Sequence, residues 1–272
     1  MTGDAWNIGL NIIASVITGS VVWLSGRLLR LRGLRRKQAF FGLSSGGECL
    51  LVVPRMVSAD NERSVHRNDA AAMLDLSAIL GECGAKPEVI FHDQVYQGLA
   101  DKAEFCIGGP VANRRTEAHL RSVLPGVRIG GAEERTAISV GGQTYPSHTR
   151  RVEYALLAKV VRDKRDKPAF VICGQTSIAN RAAARYLGAQ FPRLKRAHGL
   201  RGRFCVLLRV IESESYGPSV VELVRDVTTA AFTPRPAEDP GSAAHPDGSG
   251  NPEPPGDSEN PGASGDSRAT SA

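Results

Sequence analysis

Residues 168–190 read PAFVICGQTSIANRAAARYLGAQ, and the rest of the fold is read outward from them. The run from Pro168 to Cys173 is short, apolar and β-branched in part, as a strand buried on both faces requires. Gly174 lets the backbone turn without a Cβ. After the loop, ANRAAARYLGAQF is rich in Ala, the strongest helix former. A strand that ends in glycine and feeds a helix is half of a βαβ unit. The same pattern occurs earlier: FCIGGP over 105–110 leads through Val111 and Ala112 to Asn113. From Asn113 or Thr116 a helix is expected as far as Leu124, where Pro125-Gly126 stops it.

Other segments fit around these two. ECLLVVPRM, from Glu48, reads as a buried strand, and Asn68 is placed to cap a helix over AAAMLDLSAILGE that ends at Gly84. PEVIFH (87–92) and VRI (127–129) read as further strands, and TAISV (136–140) with Gly141-Gly142 reads as a hairpin arm. VEYALLAKVVRD (152–163) suits helix or strand; its alternation of Tyr154, Leu156, Ala158 and Val160 with Glu153, Ala155, Leu157 and Lys159 favours a strand. RFCVLLRVI (203–211) and SVVELVRDV (219–227) flank Tyr216-Gly217-Pro218 as an antiparallel pair. The expected fold class is α/β: a Rossmann-like three-layer sandwich over 46–232, with a mostly parallel sheet and an antiparallel edge.

The ends of the chain differ from this body. Residues 5–26 carry no charge, a length that matches the roughly 20 residues a transmembrane helix needs. The chain's two tryptophans, Trp6 and Trp23, stand near its ends, as at membrane interfaces. A cleaved signal peptide fits poorly, because the start carries Asp4 and the apolar run closes in LSGRLLRLRGLRRK. A buried soluble helix would not have flanks this asymmetric. The expectation is a single-pass anchor followed by a basic juxtamembrane linker over 27–45. Arg27, Arg30, Arg32, Arg35, Arg36 and Lys37 would hold the body on the cytoplasmic side of the cell membrane, with the N-terminus outside. Ser15 and Gly19 form a single small-xxx-small pair, so lipid contact is preferred there to helix pairing. The tail, 233–272, holds 8 of the 16 prolines and sets two arginines against seven acids. It is expected to be a disordered acidic appendage.

Composition narrows function without naming it. Of the net charge of +6, the run at 27–37 supplies enough that the body is only modestly basic. That argues against a nucleic-acid partner. Five cysteines without CxxC spacing, mostly in apolar runs, read as reduced core thiols; Cys173 before its glycine loop is a candidate nucleophile with no histidine placed beside it. His66, His92 and His148 lie near Asp60, Asp69 and Asp93 without ligand spacing, so no metal is expected.

In an open α/β sheet, ligands gather beyond the carboxyl ends of the strands. The glycine loops there expose helix N-termini able to hold an anion, and Arg114 and Arg115 stand beside the first. Asn68, Asp69, Gly108, Gly109, Asn113, Gly174, Thr176 and Asn180 are the expected ligand-binding residues. Neither loop is a full dinucleotide or P-loop motif.

The GGPVAN loop and CGQTSIANRAAARYL, with Asn68-Asp69 and VEYALLAKV between and before them, resemble an uncharacterised Rossmann-like domain family over about residues 46–227. The resemblance implies a fold and no activity or cofactor. Relatives tend to carry Gly-Thr before the Ala-rich helix, where this chain has Ala179-Asn180, which weakens a transferred phosphate role.

Three functions follow as expectations. The first is a membrane-anchored module that senses a nucleotide-like or other anionic small molecule through self-association or a partner contact. The second is a nucleotide- or NAD-directed hydrolase or glycosidase with Asp69 or Glu153 as acid/base. The third is a scaffold whose glycine loops are only turns.

Overall fold

A computed structural model describes residues 2–56, 64–96, 98, 100–130, 134, 136–148, 151–163 and 166–234, without the side chains of residues 2 and 4–13. The chain divides into two units, Met1–Arg235 and Pro236–Ala272. The expectation of a disordered tail falls almost wholly outside the described residues.

The first unit runs α1 (Thr2–Phe41), β1 (Glu48–Val53), α2 (Arg67–Glu82), β2 (Lys86–Phe91), β3 (Ala103–Ile107), α3 (Arg114–Val123) and β4 (Val127–Ile129). It continues through β5 (Ile138–Val140), β6 (Gln143–Tyr145), β7 (Val152–Val160), β8 (Ala169–Gly174) and α4 (Ser177–His198). It closes with β9 (Phe204–Ile211), α5 (Ser213–Tyr216), β10 (Val221–Asp226) and α6 (Thr228–Phe232). The fold is α/β. A seven-stranded mixed sheet has the order β10-β9-β7-β8-β3-β1-β2, and a small antiparallel sheet has the order β4-β5-β6. Strands β2, β1, β3 and β8 pair in parallel; β7 is antiparallel to both β8 and β9, and β10 is antiparallel to β9. Five of the seven strands therefore point one way. VRI is a strand, but of the small sheet.

Strand alternation builds two apolar layers. Leu51, Val53, Phe105, Ile107, Phe170 and Ile172 face α2 and α4. Leu156, Val171, Cys173 and Leu207 face α3, α6 and the small sheet. Helices leave successive strands on opposite faces: α3 after β3, α4 after its neighbour β8. The carboxyl ends of β3 and β8 thus open into a crevice, as the topology rule for α/β sheets requires.

Three expected boundaries differ in the structure. The residues read as a linker, 27–45, continue α1 without a break as far as Phe41, and Phe40 and Phe41 are fully buried. Six of the chain's eight phenylalanines (40, 41, 105, 170, 191, 204) form one cluster, with the Phe105 and Phe170 rings stacked at 4.9 Å and Phe40 edge-on to Phe41 at 5.1 Å. The end of α1 is therefore part of the domain core. The N-cap of α2 is His66, whose ring accepts the Asn68 N–H at 3.2 Å; Asn68 lies inside the first turn. Helix α4 also runs past the expected stop at Phe191, carrying Pro192 internally, because Leu194 beyond it is buried and the His198 ring stacks on Phe204 at 5.1 Å.

Among the described residues no helix is long and apolar enough to cross a membrane, so the span expected at 5–26 has no support there. Val16, Ile17, Val21, Val22, Trp23 and Leu24 on α1 are exposed nonetheless.

Candidate functional site

The crevice holds a cleft of about 180 Å³ between the loops after β3 and β8 and the start of α2. Gly109 to Ala112 line one wall, Gly174 to Ser177 and Asn180 the other, Asp69 the side of α2, and Ile129 and Thr136 the side of the small sheet. Of the eight expected binding residues, Asp69, Gly109, Gly174, Thr176 and Asn180 meet here. Asn68, Gly108 and Asn113 do not.

Asp69 and Asn180 form its polar centre. The Asn180 amide donates to Asp69 Oδ1 at 2.8 Å, and its own Oδ1 accepts the Gly174 N–H at 2.6 Å. One side chain thus ties α2, β8 and α4 together. Asp69 is 6% exposed, and its second oxygen takes no hydrogen bond among the described residues. Burial raises its pKa above the ordinary aspartate value, opposed by the Asn180 hydrogen bond and the nearby His66.

Thr176 is the N-cap of α4. Its hydroxyl accepts the Ala179 N–H at 3.2 Å and donates to Glu153 at 2.6 Å. The amides of Ser177 and Ile178, in the first turn, have no intrahelical acceptor. Gly174 is required by close approach: a Cβ there would stand 2.6 Å from Ala179 Cβ and from the Asn180 nitrogen. Gly109 is freer, since a Cβ would meet Cys173 Sγ at 3.6 Å.

The remaining candidates have structural work. Asn113 is fully buried; it caps α3 through the Arg115 and Thr116 amides and donates to Ile107 O at 2.8 Å. That self-capping removes much of the anion site expected at α3. Gly108 has φ +98°, and a Cβ would stand 3.0 Å from Pro54. Glu153 is 1% exposed, holds Thr176 with one oxygen and Ser213 with the other, and is not among the residues that line the cleft. Cys173 is fully buried, which lifts its thiol to about 12 and leaves no nucleophilic thiolate at neutral pH. All five cysteines are free and buried.

Gln175 was not legible from sequence. Its side chain accepts the Tyr154 N–H at 2.7 Å and donates to Tyr145 O at 2.8 Å, pinning the loop after β8 to β7 and the small sheet. Only the three-dimensional neighbourhood reveals that role, and the same holds for Thr136 and Ile129.

Glu104, Cys106 and His119 bring ligand-type atoms within 4.8 Å of one another. Their geometry is that of a buried ion pair. Arg115 grips both Glu104 oxygens at 2.8 Å, while the Cys106 thiol and His119 Nε2 approach Oε1 at 2.9 Å. Burial alone would raise the Glu104 carboxyl, but Arg115 and His119 outweigh it and hold its pKa at about 2. A guanidinium already fills the place a cation would take.

No family model matches the chain. No curated protein and no solved structure matches it either. The likeness to a Rossmann-like family therefore rests on the quoted motifs, and function rests on the cleft.

Proposed function

We propose that the protein is a Rossmann-like binding module, carried on a membrane-associated N-terminal helix, that captures a small hydroxylated or nucleotide-like ligand at the Asp69–Asn180 cleft. The observation that carries this reading is the convergence of Asp69, Asn180 and the first turn of α4 between two glycine loops at the carboxyl ends of β3 and β8. The free oxygen of Asp69 suits a sugar hydroxyl, and the first-turn amides of α4 suit an anionic group. A cleft of about 180 Å³ takes one ring or one phosphate, with the rest of a larger ligand outside it.

The exposed apolar side chains of α1, followed by Arg27, Arg30 and Arg32, support membrane association with the domain on the cytoplasmic side. Ligand binding would then bias self-association or a partner contact. The hydrolase reading stands second, on Asp69 alone: a carboxyl with a raised pKa in a cleft is equipped for general acid/base work.

The test is a thermal-shift screen of the full chain in detergent with nucleosides, nucleotides, NAD-type dinucleotides and sugar phosphates. A ligand at 100 times its Kd adds about 2.7 kcal/mol. The expected hit is lost in Gly109→Val and weakened in Ser177→Ala, with the unliganded Tm of each variant confirming that it folds. Product analysis of that hit separates binder from hydrolase. No hit from a well-folded protein refutes the reading and leaves the scaffold.

A further inference from the structure

A groove of about 560 Å³ lies at the opposite ends of these strands, where α1 enters the domain. Its ionic lining is Arg35, Lys159, Lys167, Arg201 and a single acid, Asp166. Asp166 is already engaged by Arg162 at 3.4 Å and the Asp163 N–H at 3.2 Å. Lys167 donates to Gly42 O at 3.1 Å. Arg35 and Arg201 are exposed and make no ion pair among the described residues.

Lys159 is the unusual member. It is 1% exposed and sits on β7 among apolar neighbours. Its ammonium donates to Leu200 O at 2.7 Å and lies 4.4 Å from the centre of the Phe40 ring. An ammonium has three N–H donors, and among the described residues only one is used. No carboxylate among the described residues pairs with it. A buried charge without a counter-ion is costly, and proteins normally pair it.

We propose that this groove is a binding site for a phosphate-bearing anion, with the Lys159 ammonium at its floor and Arg35 and Arg201 at its rim. A phosphate supplies the missing counter-charge and enough acceptor oxygens for the unused donors. The volume suits a phosphorylated small molecule or the headgroup of an anionic lipid. Both sources present the same chemistry. The site is separate from the Asp69 cleft and does not depend on it. Burial lowers the Lys159 pKa to about 8, so a bound dianion has a proton equilibrium to shift.

The test uses the full chain, once in detergent with sodium pyrophosphate and once in phosphatidylcholine nanodiscs with and without phosphatidic acid. Calorimetry reads pyrophosphate affinity; the pH titration of the ¹³Cε-lysine resonance of Lys159 reads occupancy in both. Pyrophosphate binding weakened at least about tenfold by Arg35→Gln/Arg201→Gln and by Lys159→Met supports the site with a soluble ligand. An upward shift of the Lys159 midpoint seen only with phosphatidic acid, and lost in the arginine double variant, supports it with a lipid ligand. The arginine variants alter exposed side chains, so they remain decisive even if Lys159→Met misfolds. A Lys159 midpoint unmoved in both settings, or one whose shift survives in the arginine double variant, overturns the proposal.

Discussion

Replacing Lys159 with methionine should stabilise the unliganded protein. The side chains are similar in length, and the methionine variant places an apolar thioether in the same phenylalanine-lined space. The ordinary lysine value is 10.5, and burial holds Lys159 at about 8. That displacement corresponds to about 3 kcal/mol of desolvation against the folded state. In a domain of this size about 3 kcal/mol raises Tm by roughly 6–12 °C. The pH dependence carries the sign. Below about pH 8 the lysine is protonated in both states, and the whole penalty is present. Between about 8 and 10.5 the folded state releases the proton while the unfolded state keeps it, so wild-type stability rises with pH. The advantage of the variant should therefore be largest at pH 7 and shrink toward zero by pH 10.5. Urea unfolding followed by circular dichroism at several pH values measures this; tryptophan fluorescence does not, since Trp6 and Trp23 both lie in α1. A variant less stable than wild type at pH 7, or an advantage that stays constant across the window, would refute the reasoning.

Further predictions concern other sites. Glu104 is held at about 2 against an ordinary 4.5, so its contribution of about 3 kcal/mol is complete above pH 4.5 and is lost as pH falls toward 2. Acid titration of Glu104→Gln should lack that part of the loss, while at pH 7 the variant should be about 3–5 kcal/mol less stable, because Arg115 is left without its partner. Gly174→Ala should cost about 1–3 kcal/mol through its contacts with Ala179 and Asn180, whereas Gly109→Ala should change stability by less than about 1 kcal/mol. Chemical denaturation of the pair checks both, and equal losses would contradict the assigned packing.

Much of the sheet was legible because its strands are short apolar runs. Pro168 to Cys173 and Leu50 to Val53 admit few other readings, and the alternation in 152–160 correctly favoured a strand. What sequence hid were features set by long-range packing. Phe40 and Phe41 follow a basic stretch and look like the end of a linker, yet they meet Phe170 and Phe204, which stand far along the chain. Pro192 is a helix breaker by local rule, and tertiary contacts of Leu194 and His198 carry α4 through it. At the cleft, the glycine loops were found by their strand–glycine–helix pattern. Sequence could not say which asparagine turns inward: Asn180 reaches Asp69 at the cleft, whereas Asn113 serves its own helix. Glu153 was noticed as a carboxylate, but its capture by Thr176 and Ser213 depends on where β7 lies against α4.

Strand β7 carries that carboxylate near its start and Lys159 near its end, both on the face that meets α4. Glu153 engages Thr176 ahead of the helix, and Lys159 engages Leu200 just beyond it. Each charge therefore sits at the end of the helix whose partial charge it complements. Most of the other side chains of β7 are Val, Ala and Leu, which would pack in more than one alignment with β8 and β9. A slip of one residue would turn both charges to the opposite face of the sheet and strip them of partners together. The two ionic residues work as a pair of alignment pins, so misaligned pairing of β7 is rejected by electrostatics where shape alone would tolerate it.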